Sequence, residues 1–419
     1  MRIALIADTF PPLRTSGAVQ LRDLSRELVQ QGHDLTVLLP SSDIEQAWSL
    51  EVMDGVQVLR LKAPKLKDIS YVRRALGECM MPFAMRRSFS KSPLAGVKWD
   101  GVVWYAPSIF HGPLAKTLKQ NSGCKGYLII RDIFPEWAVD MGLMGRGLAY
   151  RFFDAVARYQ YSVADTIGVQ TPGNLAYFKK WAQGSGRSLE VLQNWLGPAA
   201  GIGCSINVSH TSLAGRKIFV YAGNMGIAQG MGILLDLADY FKNRDDVGFL
   251  FVGRGSDAKK LEAEARARGL DNVLFREEIH PDEIPGLYAQ CHVGLVALDP
   301  RHKSHNIPGK FLTYMQNGLP TLANINRGND LANLIRKERV GMVSEDNSLA
   351  TLATAAEKLL EQIDAKSGLA ARCRALFSRL FAAETAAEQV VTALTAHKKK
   401  ELEWHSKTGN ESELSLPQI

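Results

Sequence analysis

No run of about 18 apolar residues occurs in the chain, which excludes a membrane-spanning helix. The opening Met1-Arg-Ile-Ala-Leu-Ile-Ala-Asp lacks the longer apolar core and cleavage site of a secretory signal. Cysteine is scarce: Cys79, Cys124, Cys204, Cys291 and Cys373 are scattered, odd in number and without a Cys-x-x-Cys pair. They read as reduced core thiols of a cytosolic protein, not as a disulfide frame or a metal site. The Gly-x-Gly-x-x-Gly spacing is missing after the first strand, so no dinucleotide cofactor is supported there. No short internal repeat is present.

What remains is an ordinary globular composition, 46% apolar and 22% charged, over 419 residues. That length suits two domains, each large enough for its own core. The net charge of +7 favours an acidic partner: nucleic acid, anionic lipid or a phosphate-bearing substrate. Charge alone does not choose among them, but no nucleic-acid-binding module surrounds the basic residues, and nucleic acid is set aside.

The most informative stretch is Asn306-Ile-Pro-Gly-Lys-Phe-Leu-Thr-Tyr-Met-Gln-Asn-Gly-Leu-Pro320. Val293–Leu298 before it and Thr321–Asn324 after it are short apolar runs that suit buried parallel strands. Pro308 fits the first turn of a helix, Phe311, Leu312, Tyr314 and Met315 form its buried face, and Gly318 stops it. The pattern therefore predicts a strand, a loop bearing Lys310, and a helix whose positive end points out of the sheet. Free backbone N–H groups and the helix dipole favour an anion there. The same pattern also fits a plain βαβ unit with a solvated lysine.

The string resembles the donor-phosphate segment of retaining GT-B glycosyltransferases, glycosyltransferase family 4, in the branch that builds bacterial O-antigen and capsule. Pro308-Gly-Lys310 matches the opening of the family helix, and Gly318 with Pro320 matches its end. Gln316 stands where the family has alanine. The family's two glutamates fall on His305 and Thr313, so Thr313 is left to replace a ribose-binding carboxylate with a weaker hydrogen bond. Arg131-Asp-Ile-Phe-Pro-Glu-Trp137 resembles the Asp-Leu-Trp-Pro-Glu segment of the same branch, and Asn194-Trp195 its turn into the interlobe linker. Matching motifs in the correct order span about residues 1–395.

The resemblance implies an α/β fold of GT-B architecture, two Rossmann-like lobes whose parallel sheets face a cleft. The expected first lobe is 1–195, joined by a crossover helix at about 378–397. A linker at 196–214, a nucleotide-sugar-binding lobe at 215–377 and a disordered tail at 398–419 complete the expectation. It implies transfer of a sugar, N-acetylated by preference, from a UDP-linked donor to a lipid-linked saccharide, with retention, no cofactor and no required metal. Donor binding falls to Ser16, Gly17, Gly223, Asn224, Arg254, Ile279, Asn306, Ile307, Pro308, Gly309, Lys310 and Thr313. Arg254 and Lys310 carry the charge for the departing diphosphate, because Asn224 and Gln229 occupy the places of the family's arginine and lysine.

Asp132 and His111 join the catalytic group, and Asp132 and Glu136 face the acceptor. A carboxylate at the carboxyl end of a parallel strand can take the proton of an attacking hydroxyl. Each of these residues taken singly also fits a structural role. Residues 62–99 mix Arg73, Arg74, Arg86 and Arg87 with bulky apolar side chains. That mixture suits either an anionic membrane surface or a solvated helix pair. The expected location is cytoplasmic, peripheral on the inner face of the bacterial cytoplasmic membrane. A nucleotide-sugar epimerase of the same fold and a non-catalytic nucleotide-sugar-binding subunit remain as alternatives.

Overall fold

Short β-branched runs separated by amphipathic stretches set the architecture. Strands buried on both faces need helices on both sides. The computed structural model describes residues 1–13, 15–66, 70–184, 186–199, 201–226, 229–299 and 307–408, with 71–72, 74–75 and 397–408 as backbone only. The first lobe runs β1 (Arg2–Ile6), α1 (Ser16–Gln30), β2 (Asp34–Ser41), β3 (Trp48–Met53), β4 (Val56–Lys62) and α2 (Tyr71–Phe89). It continues with β5 (Gly101–Tyr105), α3 (Gly112–Ser122), β6 (Lys125–Ile130), α4 (Glu136–Asp140), α5 (Leu148–Val163), β7 (Thr166–Val169), α6 (Leu175–Ala182) and β8 (Ser188–Val191). These strands form an eight-stranded sheet in the order β3-β4-β2-β1-β5-β6-β7-β8, parallel except for the β3–β4 hairpin.

The second lobe begins with β9 (Lys217–Ala222), α7 (Gly232–Tyr240), β10 (Val247–Val252), α8 (Ala258–Ala267), β11 (Val273–Arg276) and α9 (Ile284–Tyr288). Then come β12 (Val293–Ala297), α10 (Gly309–Asn317), β13 (Thr321–Asn324), α11 (Asp330–Glu338), β14 (Gly341–Ser344), α12 (Leu349–Asp364) and α13 (Leu369–Leu380). Its six strands are all parallel, in the order β11-β10-β9-β12-β13-β14. Each sheet carries a helical layer on either face. In the second lobe α7, α8 and α12 cover one side and α9, α10, α11 and α13 the other.

α14 (Ala383–Thr408) crosses back to the first lobe, where Ala387, Val390 and Leu394 pack with Leu21, Leu24 and Val103. Outgoing and returning chains run side by side there. Leu196 N–H donates to the Phe381 carbonyl at 2.9 Å, and Ala383 N–H to the Leu196 carbonyl at 3.0 Å. α14 extends to Thr408, into the stretch expected as the tail. Lys398, Lys399, Lys400, Glu401, Leu402 and Glu403 are all good helix formers. Residues 409–419 lie outside the described residues. Residues 62–99 hold one long helix rather than a pair: α2 spans the region with Pro82 inside it.

α10 is seated by its buried face. Phe311, Leu312, Tyr314 and Met315 are each 0% exposed. The Tyr314 hydroxyl lies 3.2 Å from the Val220 carbonyl and 3.0 Å from the Leu295 carbonyl, between β9 and β12. Gly318, at φ 72°, ends the helix in the left-handed conformation glycine tolerates. Tyr314→Phe is expected to lower unfolding stability by about 1–2 kcal/mol, the worth of a buried hydroxyl bond. Denaturant melts of the two proteins measure it, and coincident curves would show that the hydroxyl does not anchor α10.

Candidate functional site

Ligands in open parallel sheets bind beyond the carboxyl ends of strands. A cavity of about 550 Å³ lies there between the lobes. Its first-lobe wall is α1, through Ser16, Val19, Arg22 and Asp23, with linker residues Leu196–Ala199 beside it. The second-lobe wall holds Gly223 and Asn224 after β9, Ile279 after β11, and Pro308, Gly309, Lys310 and Thr313 of the α10 entry. The loops after β9 and β10 press backbone on backbone. Gly253 has φ 141°, and a Cβ on it would meet the Gly223 carbonyl oxygen at 2.1 Å. Only glycine fits that approach.

Lys310 is the chemical centre of this cavity. Its Nζ stands 3.3 Å from the centroid of the Tyr221 ring. No carboxylate pairs with it among the described residues. Burial pulls its pKa down from the ordinary 10.5 to about 7. Pro308 caps α10 without a side-chain hydrogen bond to the first turn. The N–H groups of Gly309 and Lys310 have no hydrogen-bond partner among the described residues. A cation short of counter-charge and an open helix N-terminus thus face one space, a combination that suits an anion.

The other charges of the cavity are already engaged. Asp23 accepts from Arg22 Nε at 2.9 Å and from Gly197 N–H at 2.8 Å. Arg22 also reaches Asp282 at 3.6 Å, linking the lobes. Glu278 pairs with Arg254 at 3.0 Å. Arg254, expected beside Lys310, is 81% exposed at its side chain and does not line the cavity. Asn224 is tied to Gln229 at 3.1 Å, and the Gln229 carbonyl also accepts from Gly226 N–H. These amides order the loop and bring no positive charge. Thr313 lines the cavity, with its hydroxyl 3.5 Å from the Gly309 carbonyl. Gly17 sits just behind, where an added Cβ would meet Thr9 and the Tyr105 hydroxyl. Asn306 and His305 lie outside the described residues.

The first-lobe residues form a separate group at the ends of β5 and β6. His111, at the start of α3, is 1% exposed, and neither ring nitrogen has a partner among the described residues. Burial lowers its pKa, opposed by the Asp8 carboxylate. Arg131 stacks on Trp195 at 4.5 Å and donates to the Leu192 carbonyl at 2.8 Å, so it serves the fold. Exposed Asp132 adjoins it and acts on Tyr105, whose pKa burial pushes up to about 12. Glu136 is turned away from the cleft: its Oε1 accepts from the Tyr150 hydroxyl of α5 at 3.0 Å. None of these lines the interlobe cavity in this arrangement.

A second surface lies on α2. Leu76, Met80 and Phe83 are 63%, 59% and 60% exposed, although Met81, Met85 and Phe89 on the opposite face fill the core. The spacing 73, 76, 80, 83, 87 puts exposed Arg73 and Arg87 on the same outward stripe. Arg86 and Arg87 line a shallow hollow of about 390 Å³ with Phe83. The Arg74 side chain lies outside the described residues. No helix among the described residues is long and apolar enough to cross a membrane, and no cluster of three or more metal-binding side chains occurs among them.

Missed in the sequence were Tyr221, Gln170 and the amide of Asn194 as a link between lobes. Tyr221 is buried in a strand and carries no local signal. Gln170 and Asn194 matter only through residues more than a hundred positions away.

Residues 216–362 match the family model described as glycosyl transferases group 1. Among curated proteins, the chain is similar to the Pseudomonas aeruginosa glycosyltransferase WbjE, 25% identical over 251 residues. That match covers 58% of this chain and 62% of the relative, so under two thirds of that relative's length is spanned. It is also similar to a colanic acid biosynthesis glycosyl transferase of Escherichia coli K12, WcaI. Identity there is 24% over 327 residues, covering 70% of this chain and 76% of the relative. Among solved structures, WaaG, a glycosyltransferase involved in lipopolysaccharide biosynthesis, superposes with a TM-score of 0.62 at 16% identity. That alignment covers 94% of this chain and 99% of WaaG. The fold is therefore GT-B.

The depressed Lys310 pKa has a consequence for stability. The unfolded chain keeps its proton up to about 10.5, whereas the folded chain releases it near 7, so between those values the unfolded state binds more protons. Stability from this residue therefore falls as pH drops from 10.5 to 7, and the penalty is complete below 7. Lys310→Met should raise the stability of the ligand-free protein at pH 7 by about 1–3 kcal/mol, since replacing a desolvated charge with an apolar chain relieves its cost. Unfolding measured at pH 7 and pH 10 would show the gain shrinking. A variant less stable than wild type would mean the ammonium is satisfied in the fold.

Proposed function

We propose that the protein is a retaining glycosyltransferase of surface polysaccharide assembly. It moves an N-acetylated sugar from a UDP-linked donor to a lipid-linked saccharide. The observation that carries this reading is the Lys310 ammonium, lacking a carboxylate partner among the described residues, beside the open N-terminus of α10 in an interlobe cavity. Cleavage of a nucleotide sugar puts charge on the departing diphosphate. Donors fixed in advance stabilise that charge without reorganising. The match of residues 216–362, and the polysaccharide and lipopolysaccharide roles in the relatives' names, support the same class.

Retention without a protein nucleophile agrees with the cavity's chemistry. A double displacement needs a carboxylate free to attack the sugar. Asp23, Glu278 and Asp282 are each held by a cation or a backbone N–H. The acceptor hydroxyl then attacks on the side the diphosphate leaves, and the diphosphate oxygen is the nearest base. Ile279 and Thr313 flank the places for base and ribose. His111 and Asp132 approach the sugar and acceptor when both are bound. α2 supplies the membrane contact, with Leu76, Met80 and Phe83 entering the headgroup layer and Arg73, Arg86 and Arg87 meeting anionic phosphates.

Thermal stabilisation by uridine, guanosine and adenosine diphosphates tests the donor site, because a ligand specific for the folded state raises the melting point. UDP is expected to give the largest shift. Its affinity should decline as pH rises above about 7, where the free protein loses the Lys310 proton that the bound diphosphate requires. No shift with any nucleotide at millimolar concentration would make the second lobe degenerate and overturn the donor site. Donor converted to an epimer without acceptor would make it an epimerase.

The membrane contact has its own test. Arg86→Glu with Arg87→Glu should weaken flotation with vesicles of anionic phospholipid at least about thirtyfold, at about 1 kcal/mol for each basic residue lost near the surface. Unchanged flotation of a folded variant would make the α2 stripe an ordinary solvated face.

A further inference from the structure

The carbonyl of Ile307, just ahead of Pro308 and Lys310, accepts two hydrogen bonds from the opposite lobe. Gln170 Nε2, past the end of β7, donates to it at 3.0 Å, and Asn194 Nδ2, past the end of β8, also at 3.0 Å. All participants are buried: Gln170 and Ile307 are 2% exposed and Asn194 is 6%. The acceptor fixes both amide orientations, since a carbonyl can face only an N–H. Asn194 Oδ1 is left buried without a partner among the described residues. An orphaned buried oxygen disfavours the folded state, so lobe stability alone is a poor reason for an asparagine here.

The surroundings repeat the pattern at lower burial. Asp330 at the start of α11 accepts from Gly173 N–H of the first lobe at 2.8 Å. A Cβ on Gly309 would meet Ser16 Oγ of the first lobe at 3.3 Å. First-lobe groups therefore surround the α10 entry, and among the described residues only Gln170 and Asn194 converge on one backbone atom of it.

We propose that Gln170 and Asn194 are positioning residues: by clasping the Ile307 carbonyl across the cleft, they set the α10 entry, and with it Lys310 and the free N–H groups, for the donor diphosphate. This rests on the donor-site reading above. The clasp makes that site a property of both lobes. A diphosphate binding at Lys310 favours the joined state, and the joined state in turn favours diphosphate, because coupling between sites is reciprocal. Neither amide touches the ligand.

The test uses full-length protein carrying Gln170→Met, Asn194→Leu or both, changes that keep shape and remove the donors. UDP is the probe, read by calorimetry and by its shift of the melting point, and small-angle X-ray scattering reads lobe separation. The double variant is expected to bind UDP roughly tenfold more weakly, within the usual range for coupled sites. It should also scatter as a more extended particle that UDP compacts less. A merely structural role would lower the unliganded melting point and leave the UDP-induced increment unchanged, and that result overturns the proposal. So does wild-type UDP affinity in a double variant that remains folded. Weakened UDP binding at unchanged lobe separation supports it. If UDP binds neither protein, the donor-site reading fails and scattering decides the clasp: extension supports it, and identical curves overturn it. Asn194→Asp, which keeps size but presents an oxygen to the carbonyl, should behave like Asn194→Leu. Wild-type behaviour of both single variants and of their combination with Gln170→Met removes the clasp.

Discussion

The ammonium of Lys310 stands over the face of Tyr221 with no carboxylate beside it among the described residues, and most of the neighbouring packing keeps it there. A charge so placed is held by the quadrupole of one aromatic ring and by the seating of α10. Tyr314 fastens α10 to β9 and β12 from below. Tyr288 packs against Tyr314 at 4.8 Å between ring centroids and keeps water from that seat. The folded protein carries an unfavourable term so that an anion can relieve it. Stability set aside at a functional site in this way is a common trade.

This concentration of charge explains how the site works with few cations. The loop after β9 offers Asn224 and Gln229, which hydrogen-bond to each other. Arg254 pairs with Glu278 and does not line the cavity. The carboxylates of the cavity are neutralised locally. On the donor reading proposed above, a diphosphate would meet Lys310 together with the backbone N–H groups at the α10 entry. A helix end is effective there because its partial charge is fixed before the ligand arrives. The first-lobe group around His111 and Asp132 lies off this cavity, which suits a division between donor and acceptor halves of the cleft.

Much of the second lobe was legible in the sequence because its signals are local. Val293–Leu298 and Thr321–Asn324 are short apolar runs, and the structure places strands at Val293–Ala297 and Thr321–Asn324. The spacing of Phe311, Leu312, Tyr314 and Met315 describes one helix face, and Gly318 can stop a helix whatever surrounds it. The first lobe was harder to read. The β3–β4 hairpin alternates weakly and lies at the sheet edge, where one face is open to solvent. α2 is apolar on both faces, so its periodicity does not say which side is core. The side of α2 that faces the core depends on β4 and α3, which pack against it.

By itself, then, the sequence determined the α/β class, the strand–loop–helix around Lys310 and the points where helices start and stop. Those follow from the chemistry of a few consecutive side chains. Only the tertiary structure decided which charges meet. Arg254 and Glu278, 24 positions apart, pair at the cavity wall, and Arg254 itself does not line the cavity. Tyr221 slides under a lysine 89 positions further along. Gln170 and Asn194 reach a carbonyl in the other lobe. Pairings over such separations arise from the packing of whole sheets and helices, and local pattern carries no record of them.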